Sequence, residues 1–126
     1  MRVVDTSIMI ERLIGSTMID TIQPLLPPHA EWLVPTVVQF ELAKWLLRTA
    51  NAEPLRLAEA MTSAYRVVPL TSAVAFAAAQ AWDEHKLATA DAVIYATARQ
   101  FGAELLTCDR HFEGLPQVIY LPKPPN

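Results

Sequence analysis

Short apolar runs alternate with helical segments along the whole chain, and this alternation restricts the fold more than any other feature of the sequence. Strands are predicted at residues 2–5 and in "EWLVP", "YRVVPL", "AELLTCD" and "QVIYLP". Parallel neighbouring strands need a crossover, which is usually a helix, so this order predicts a mainly parallel sheet covered on both faces. The expected fold is α/β, a three-layer α/β/α sandwich.

Caps, glycines and prolines mark the helices between these strands. Helices are predicted from about residue 7 to 14, 17 to 26, 37 to 50, 53 to 64, 72 to 87, and from 89 or 90 to 101. Thr6 or Ser7 is expected to cap the first helix, and Gly102 to end the last one. Thr36 and Gln39 have the spacing of a capping box at the start of the third helix.

Composition is that of a single folded domain spanning residues 1–126, with residues 122–126 expected to form a flexible tail. The chain is 52% hydrophobic and 18% charged, which excludes a disordered chain. No apolar run approaches the ~18–20 residues of a membrane span, and no secretory signal pattern is present. Cys108 is the single cysteine, so an internal disulfide is excluded and a cytoplasmic location is expected.

Charge and motifs narrow the classes of function. The net charge of −3 argues mildly against a protein that coats phosphates with Lys and Arg. It does not argue against an acidic site that carries a divalent cation. The sequence has no zinc-type Cys/His spacing and neither of the glycine-rich phosphate-binding motifs.

Two acids follow predicted strands and two lie on predicted helices. Asp5 and Asp109 each come at the carboxyl end of a strand, where α/β proteins bind ligands. Asp91 shares a helix face with apolar residues, and a buried carboxylate costs several kcal/mol unless it is paired or binds a cation. Glu41 borders the apolar stripe of its helix. All four are candidates for one cleft at one end of the sheet.

Each acid, taken alone, also has a purely structural explanation. Asp5 and Asp109 are typical of turns and helix caps, and Asp91 is favoured near a helix N-terminus by the helix dipole. Glu41 has the spacing to pair with Lys44 on a solvated helix face, and for this acid alone the surface interpretation is favoured.

Taken together, the four acids favour a metal site. Four carboxylates in one cleft repel each other and raise each other's pKa unless a cation holds them. Oxygen donors are typical ligands of Mg²⁺ and Mn²⁺. Such a site suits hydrolysis of phosphodiester bonds, in which a metal ion lowers the pKa of the attacking water.

Four segments then carry a resemblance to a known family. "VVDTS" at 3–7, "FEL" at 40–42, "ADAVIYATA" at 90–98 and "TCDRHF" at 107–112 resemble the acidic motifs of the PIN domain. They occur in family order and span nearly the whole chain. Within the family the chain is most similar to the VapC toxins of toxin–antitoxin pairs. This resemblance implies a homodimer with metal-dependent endoribonuclease activity, acting on RNA and blocked by a cognate antitoxin protein.

The resemblance also assigns roles residue by residue. It implies that Asp5, Glu41, Asp91 and Asp109 form the catalytic acidic quartet that holds Mg²⁺ or Mn²⁺. Thr107 and Ser7 are expected to orient these ligands without contacting the metal ion themselves. These six side chains are the site that the sequence predicts.

Two other functions stay open at this point. One is a PIN-fold module that binds RNA or a protein without catalysis. The other is a phosphotransferase or phosphatase with Asp5 as nucleophile, but such enzymes carry a second aspartate two positions later, where this chain has Ser7. Outside the quartet, His111 is a candidate to approach the scissile phosphate, but a turn residue beside Phe112 is the favoured interpretation. Phe76 and Trp82 are expected to be core or dimer contacts.

Overall fold

The computed structural model describes residues 1–49 and 51–125, which form one five-stranded sheet in which every pairing is parallel. The strands are β1 (Arg2–Val4), β2 (Trp32–Pro35), β3 (Arg66–Val68), β4 (Glu104–Thr107) and β5 (Val118–Tyr120). Their spatial order is β3-β2-β1-β4-β5. The predicted α/β class with a mainly parallel central sheet is confirmed.

In the described part of the chain, six α-helices connect the strands. They are α1 (Thr6–Leu13), α2 (Ile19–Ile22), α3 (Thr36–Arg48), α4 (Pro54–Thr62), α5 (Ser72–His85) and α6 (Thr89–Gln100). Helix α3 packs on α1 and α4, and α5 packs on α6. The chain advances across the sheet in one direction from β1 to β3 and then crosses back to β4. Because the crossovers are right-handed, helices α1, α3 and α4 lie on one face of the sheet and helices α5 and α6 lie on the other.

The central strands are apolar because both faces of the sheet are covered. Val3, Val4, Leu33, Leu105 and Leu106 on β1, β2 and β4 are each 0% exposed. Burial of side chains of this size contributes roughly 1.5–3 kcal/mol each. This rigid core fixes the strand ends, from which the site residues extend.

Strands β1 and β4 are direct parallel neighbours. The strand order reverses between them, since β2 and β3 lie on one side of β1 and β4 and β5 lie on the other. Val4 is paired with Leu106, and the Asp5 N–H continues the ladder by donating to the Leu106 carbonyl at 2.9 Å. In open α/β sheets the crevice at such a reversal, outside the carboxyl ends of the strands, is the usual ligand site. Residues that follow β1 and β4 therefore meet at this edge.

Several predicted helix boundaries were wrong. Asp5, not Thr6 or Ser7, precedes α1, and no side chain among the residues that the structure describes caps that helix. The capping box does not form, because Thr36 is already the first residue of α3 and the Gln39 amide instead donates to the Thr62 hydroxyl at 3.0 Å. Both errors have one cause. Thr6 and Gln39 were expected to cap their own helices, and in the fold their side chains donate instead to residues of other elements.

The predicted second helix is shorter than expected. Helix α2 covers only Ile19–Ile22, and a 3₁₀ turn at Gln23–Leu25 follows it. Pro24 has no N–H to donate to the preceding turn, so the α-helical pattern stops there. Two short 3₁₀ turns also occur at His29–Glu31 and Arg110–Phe112.

Of the two alternatives predicted for two aromatic residues of α5, the core position is wrong and the dimer contact stays a prediction. Phe76 is 77% exposed and Trp82 is 56% exposed, because α5 packs through small side chains such as Ala78 and Ala81. The predicted end of the third helix at residue 50 and the last residue of the predicted tail, residue 126, lie outside the described residues. Within the described part, no helix is long and apolar enough to cross a membrane.

Candidate functional site

Asp5 occupies the end of β1 and is 4% exposed, so its carboxylate is buried at the carboxyl edge of the sheet. Its Oδ2 accepts hydrogen bonds from the Thr107 hydroxyl at 2.7 Å and from the Ser7 hydroxyl at 2.8 Å. Among the described residues, no hydrogen-bond donor contacts Oδ1. The two hydroxyls therefore orient the carboxylate and leave its second oxygen free for a ligand.

The same two hydroxyls tie the end of β4 to the start of α1. The Cys108 N–H donates to the Ser7 Oγ at 3.0 Å, and the Asp109 N–H donates to the Thr107 Oγ1 at 2.9 Å. Both backbone donors lie beyond the last residue of β4, so the sheet ladder does not satisfy them. Ser7 and Thr107 thus position Asp5 and Asp109 together.

Asp109 begins the 3₁₀ turn that follows β4. Its Oδ1 accepts the backbone N–H of His111 at 2.9 Å and lies 2.8 Å from the His111 Nδ1. Phe112, the last residue of this turn, is 0% exposed and anchors it in the core. The predicted turn beside Phe112 is present, and it directs His111 toward the acids.

Asp91 and Glu41 reach the site from two helices. Asp91 lies in the first turn of α6 and is partly buried, and it forms a group with Asp109 and His111 in which one ligand atom of each lies within 4.8 Å of the others. Glu41 on α3 accepts a hydrogen bond from the Thr6 hydroxyl at 2.9 Å. The described residues include no ion pair between Glu41 and Lys44, so the predicted pairing was wrong; Glu41 is half-buried and its partner is Thr6.

The pKa values of the carboxylates respond to burial and to one another. Burial raises the pKa of Asp5 to about 6, against the opposing effect of hydrogen bonds from Thr107 and Ser7. Burial also raises the pKa of Asp91 to about 7, and the charges of Asp109, Asp5 and Glu41 add to the increase. All four acids are thus close enough to repel, and two of them lie in environments that disfavour their charged forms.

This donor set fits a hard divalent cation. Carboxylate oxygens are the ligands that Mg²⁺ and Mn²⁺ take most readily, and a bound cation would stabilise the charged form of Asp91, which burial and then repulsion disfavour. Asp5 is close enough to Asp91 and Asp109 for their charges to interact. Among the described residues, Asp91, Asp109 and His111 are the group whose ligand atoms lie within 4.8 Å of one another, and Asp5 and Glu41 are not part of that group.

A cleft of about 300 Å³ opens beside these acids. Its lining includes the polar and acidic residues Thr6, Ser7, Glu41 and Asp109. Ile10, Lys44, Trp45, Arg48 and Lys123 complete the lining. Helix α3 presents Glu41, Lys44 and Arg48 on one stripe, which brings cations next to carboxylates. A polyanion bound here would have cationic groups along its path to the acids.

Sequence reasoning ranked a place near the acids second for His111 and gave this residue no metal-binding role. Its imidazole was assigned to a turn, although it lies beside both Asp91 and Asp109. The available signal was its position two residues after Asp109. A 3₁₀ turn brings such a side chain back toward the residue that begins the turn.

Comparison with known proteins gives one family and several related structures. The family model described as PIN domain matches residues 2–117. A toxin–antitoxin complex from Klebsiella pneumoniae contains a chain with a TM-score of 0.81 and 22% identity, covering 94% of this chain and 96% of that one. VapC20 of Mycobacterium tuberculosis, described as a sarcin-ricin loop cleaving toxin, has a TM-score of 0.75 and 20% identity, covering 92% and 95%.

A third similar structure is VapBC2 from Rickettsia felis, bound to a DNA fragment from its promoter. It has a TM-score of 0.74 and 15% identity, and the match covers 98% of each chain. At these identities the three structures share their fold with this chain. No curated protein matches the chain in sequence.

Proposed function

The chain belongs to the PIN domain family, and on that premise we propose that it is the endoribonuclease toxin of a type II toxin–antitoxin pair, with Mg²⁺ or Mn²⁺ as cofactor. The observation that carries this proposal is the set of four carboxylates, whose burial and mutual repulsion raise the pKa of Asp91 to about 7. Folding alone gives no reason to gather four acids, whereas a divalent cation does.

In this proposal Asp5, Asp91 and Asp109 hold the ion and Glu41 positions the ion or the attacking water. When bound, such an ion lowers the pKa of a water molecule and offsets the negative charge of the phosphate. The hydrogen bonds from Thr107 and Ser7 fix the orientation of Asp5. The hydroxyl of Thr6 holds Glu41 in the same way.

RNA is the proposed substrate, and the cations of the cleft support this choice. Lys44 and Arg48 lie on the cleft wall next to Glu41, where they would contact phosphates on either side of the bond that is cut. VapC20, which shares the fold, is described as a toxin that cleaves the sarcin-ricin loop. Which RNA this chain cleaves is a separate property of its cleft.

The proposed partners follow from the related structures. Two of the similar structures contain a toxin with its antitoxin, which supports a cognate antitoxin for this chain as well. We place the active protein in the cytoplasm as a homodimer whose activity the antitoxin blocks. A non-catalytic module that binds RNA or a protein is the alternative, and the assay below distinguishes the two.

The test is RNA cleavage with Mn²⁺ or Mg²⁺ by the wild type, Asp5→Asn and Asp91→Asn. Loss of an outer partner of a metal ligand costs 10–100-fold in activity, so loss of a ligand is expected to cost at least about 100-fold. Asp83→Asn is the matched control, because Asp83 is an exposed acid on α5. Undiminished metal-dependent cleavage by both site variants would contradict the assignment, and no cleavage by the wild type would favour the binding module.

A further inference from the structure

His111 stands among the acids at spacings that suit a shared metal ion. Its Nδ1 lies 2.8 Å from the Oδ1 of Asp109, and one ligand atom each of His111, Asp91 and Asp109 lies within 4.8 Å of the other two. Around an octahedral ion with bonds of about 2.1 Å, neighbouring ligands are about 3 Å apart and opposite ligands about 4.2 Å. The three side chains would need to move little to share one ion.

We propose that His111 is a further metal ligand, which adds an imidazole nitrogen to the carboxylates of Asp91 and Asp109 on the same ion. This inference rests on the metal-dependent function proposed above and adds the chemistry of metal selection to it. Nitrogen donors favour transition-metal ions, whereas Mg²⁺ is held by oxygen donors. The site therefore prefers Mn²⁺ to Mg²⁺ more strongly than a quartet of carboxylates alone.

The backbone around His111 positions its ring for this role. The His111 N–H donates to the Asp109 Oδ1 at 2.9 Å, and the Phe112 N–H donates to the Asp109 carbonyl at 3.1 Å. Phe112 is 0% exposed, so the turn is anchored in the core. The imidazole is thus held beside Asp109 before any ion binds, which lowers the entropy lost on binding.

The competing explanation is a simple ion pair between His111 and Asp109. The His111 side chain is 74% exposed, and pairs at such positions contribute at most about 1 kcal/mol. An ion pair with Asp109 also does not require the proximity of Asp91. The two explanations differ in what the imidazole contacts when a metal ion is present.

The test measures metal binding without relying on cleavage. Mn²⁺ and Mg²⁺ are titrated calorimetrically into the wild type, His111→Gln and the control His29→Gln. His29 precedes β2 and therefore lies at the opposite, amino edge of the sheet. His111→Gln is expected to lower the affinity for Mn²⁺ by about tenfold or more and the affinity for Mg²⁺ by less, so the Mn²⁺/Mg²⁺ affinity ratio falls.

Pulsed electron paramagnetic resonance of the bound Mn²⁺ gives the second readout. Coupling to an imidazole nitrogen is expected in the wild type and in His29→Gln, and not in His111→Gln. An unchanged affinity ratio, with no nitrogen coupling in the wild type, would overturn the proposal. If Asp91→Asn abolishes Mn²⁺ binding while His111→Gln preserves binding and selectivity, the metal-dependent function stands and only the role of His111 is lost. A wild type that binds no Mn²⁺ overturns both.

Discussion

The acids at the two ends of strands β1 and β4 have opposite charge environments. At the amino ends, Arg2 and Glu104 form a salt bridge of 2.6 Å, and Arg2 also donates to the Leu25 carbonyl at 2.6 Å. At the carboxyl ends, Asp5 and Asp109 lie near two further acids, and burial raises the pKa of Asp5 to about 6. The same pair of strands begins with a neutralised acid and ends with acids that repel.

This difference distinguishes charged side chains that stabilise the fold from charged side chains that are available to bind a ligand. An acid whose role is structural is paired, as Glu104 is with Arg2. The acids at the carboxyl edge instead have hydroxyl donors that orient them without neutralising them, such as Thr107 for Asp5. A cation that binds from solution would complete the second arrangement, and four predictions test the contrast.

The largest effect is expected for Asp5→Asn in metal-free protein. The pKa of Asp5 is raised from 3.8 to about 6 in the folded state. The protonated carboxyl therefore stabilises the folded state fully below its unfolded-state pKa, and this stabilisation is lost as the pH rises through about 6. The loss amounts to about 3 kcal/mol. Urea unfolding with a chelator should show Asp5→Asn more stable than the wild type at pH 8 by about this amount, and no more stable at pH 4. A difference that does not change with pH would contradict the origin of the effect.

The next effect concerns the hydroxyl between Asp5 and Asp109. Thr107→Val removes a donor to Asp5 and an acceptor of the Asp109 N–H. We expect a 10–100-fold loss of Mn²⁺ affinity and a loss of about 1–3 kcal/mol in the free energy of unfolding. Thr107→Ser keeps the hydroxyl and should retain most of both quantities in calorimetry and urea unfolding. If Thr107→Val binds Mn²⁺ like the wild type, the hydroxyl has no part in the site.

A smaller effect is expected from the cations of the cleft. Lys44→Ala with Arg48→Ala should raise the KM for RNA and leave kcat nearly unchanged, because these side chains line the cleft but supply no donor to the proposed metal ion. Each phosphate contact to a single strand contributes about 0.7 to the slope of log affinity against log salt. Loss of both contacts should reduce that slope by about 1.4. Arg56→Ala is the control. An equal change in KM and in the salt slope for this variant would show that the RNA does not bind along the cleft.

The smallest effect is expected at the amino edge. The Glu104 side chain is 51% exposed, so its pair with Arg2 contributes less than about 1 kcal/mol. Glu104→Gln should lower the free energy of unfolding by no more than this amount in urea unfolding. It should leave Mn²⁺ affinity and RNA cleavage unchanged. A loss of metal binding in this variant would mean that the two edges are not independent.

The sequence predicted the framework well because the framework follows from local patterns. The alternation of apolar runs and helices specifies a parallel sheet, and β1 and β4 were identified by runs that are buried at Val3 and Leu105. The helix ends were less predictable. Gln39 contacts Thr62 rather than Thr36, and only the packing of α3 on α4 creates that partner.

The site shows the same limit. The four acids were predicted as a group from their places on strand ends and helices, and in the fold they are close enough to repel each other. The partner of Glu41 was not predictable, because Thr6 is distant in sequence and reaches Glu41 only through the packing of α1 on α3. The proximity of His111 to Asp91 likewise depends on how α6 meets the turn after β4.

The most direct test of the central claim is calorimetric titration of Mn²⁺ into the wild type, Asp91→Asn and Asp83→Asn, near pH 7.5. Asp91 lies at the carboxyl edge among the other acids and Asp83 is an exposed acid on α5. The predicted result is binding to the wild type and to Asp83→Asn, with binding abolished or weakened at least about 100-fold in Asp91→Asn. Equal binding in all three proteins, or none in the wild type, would contradict a metal site built from the acids at the carboxyl edge.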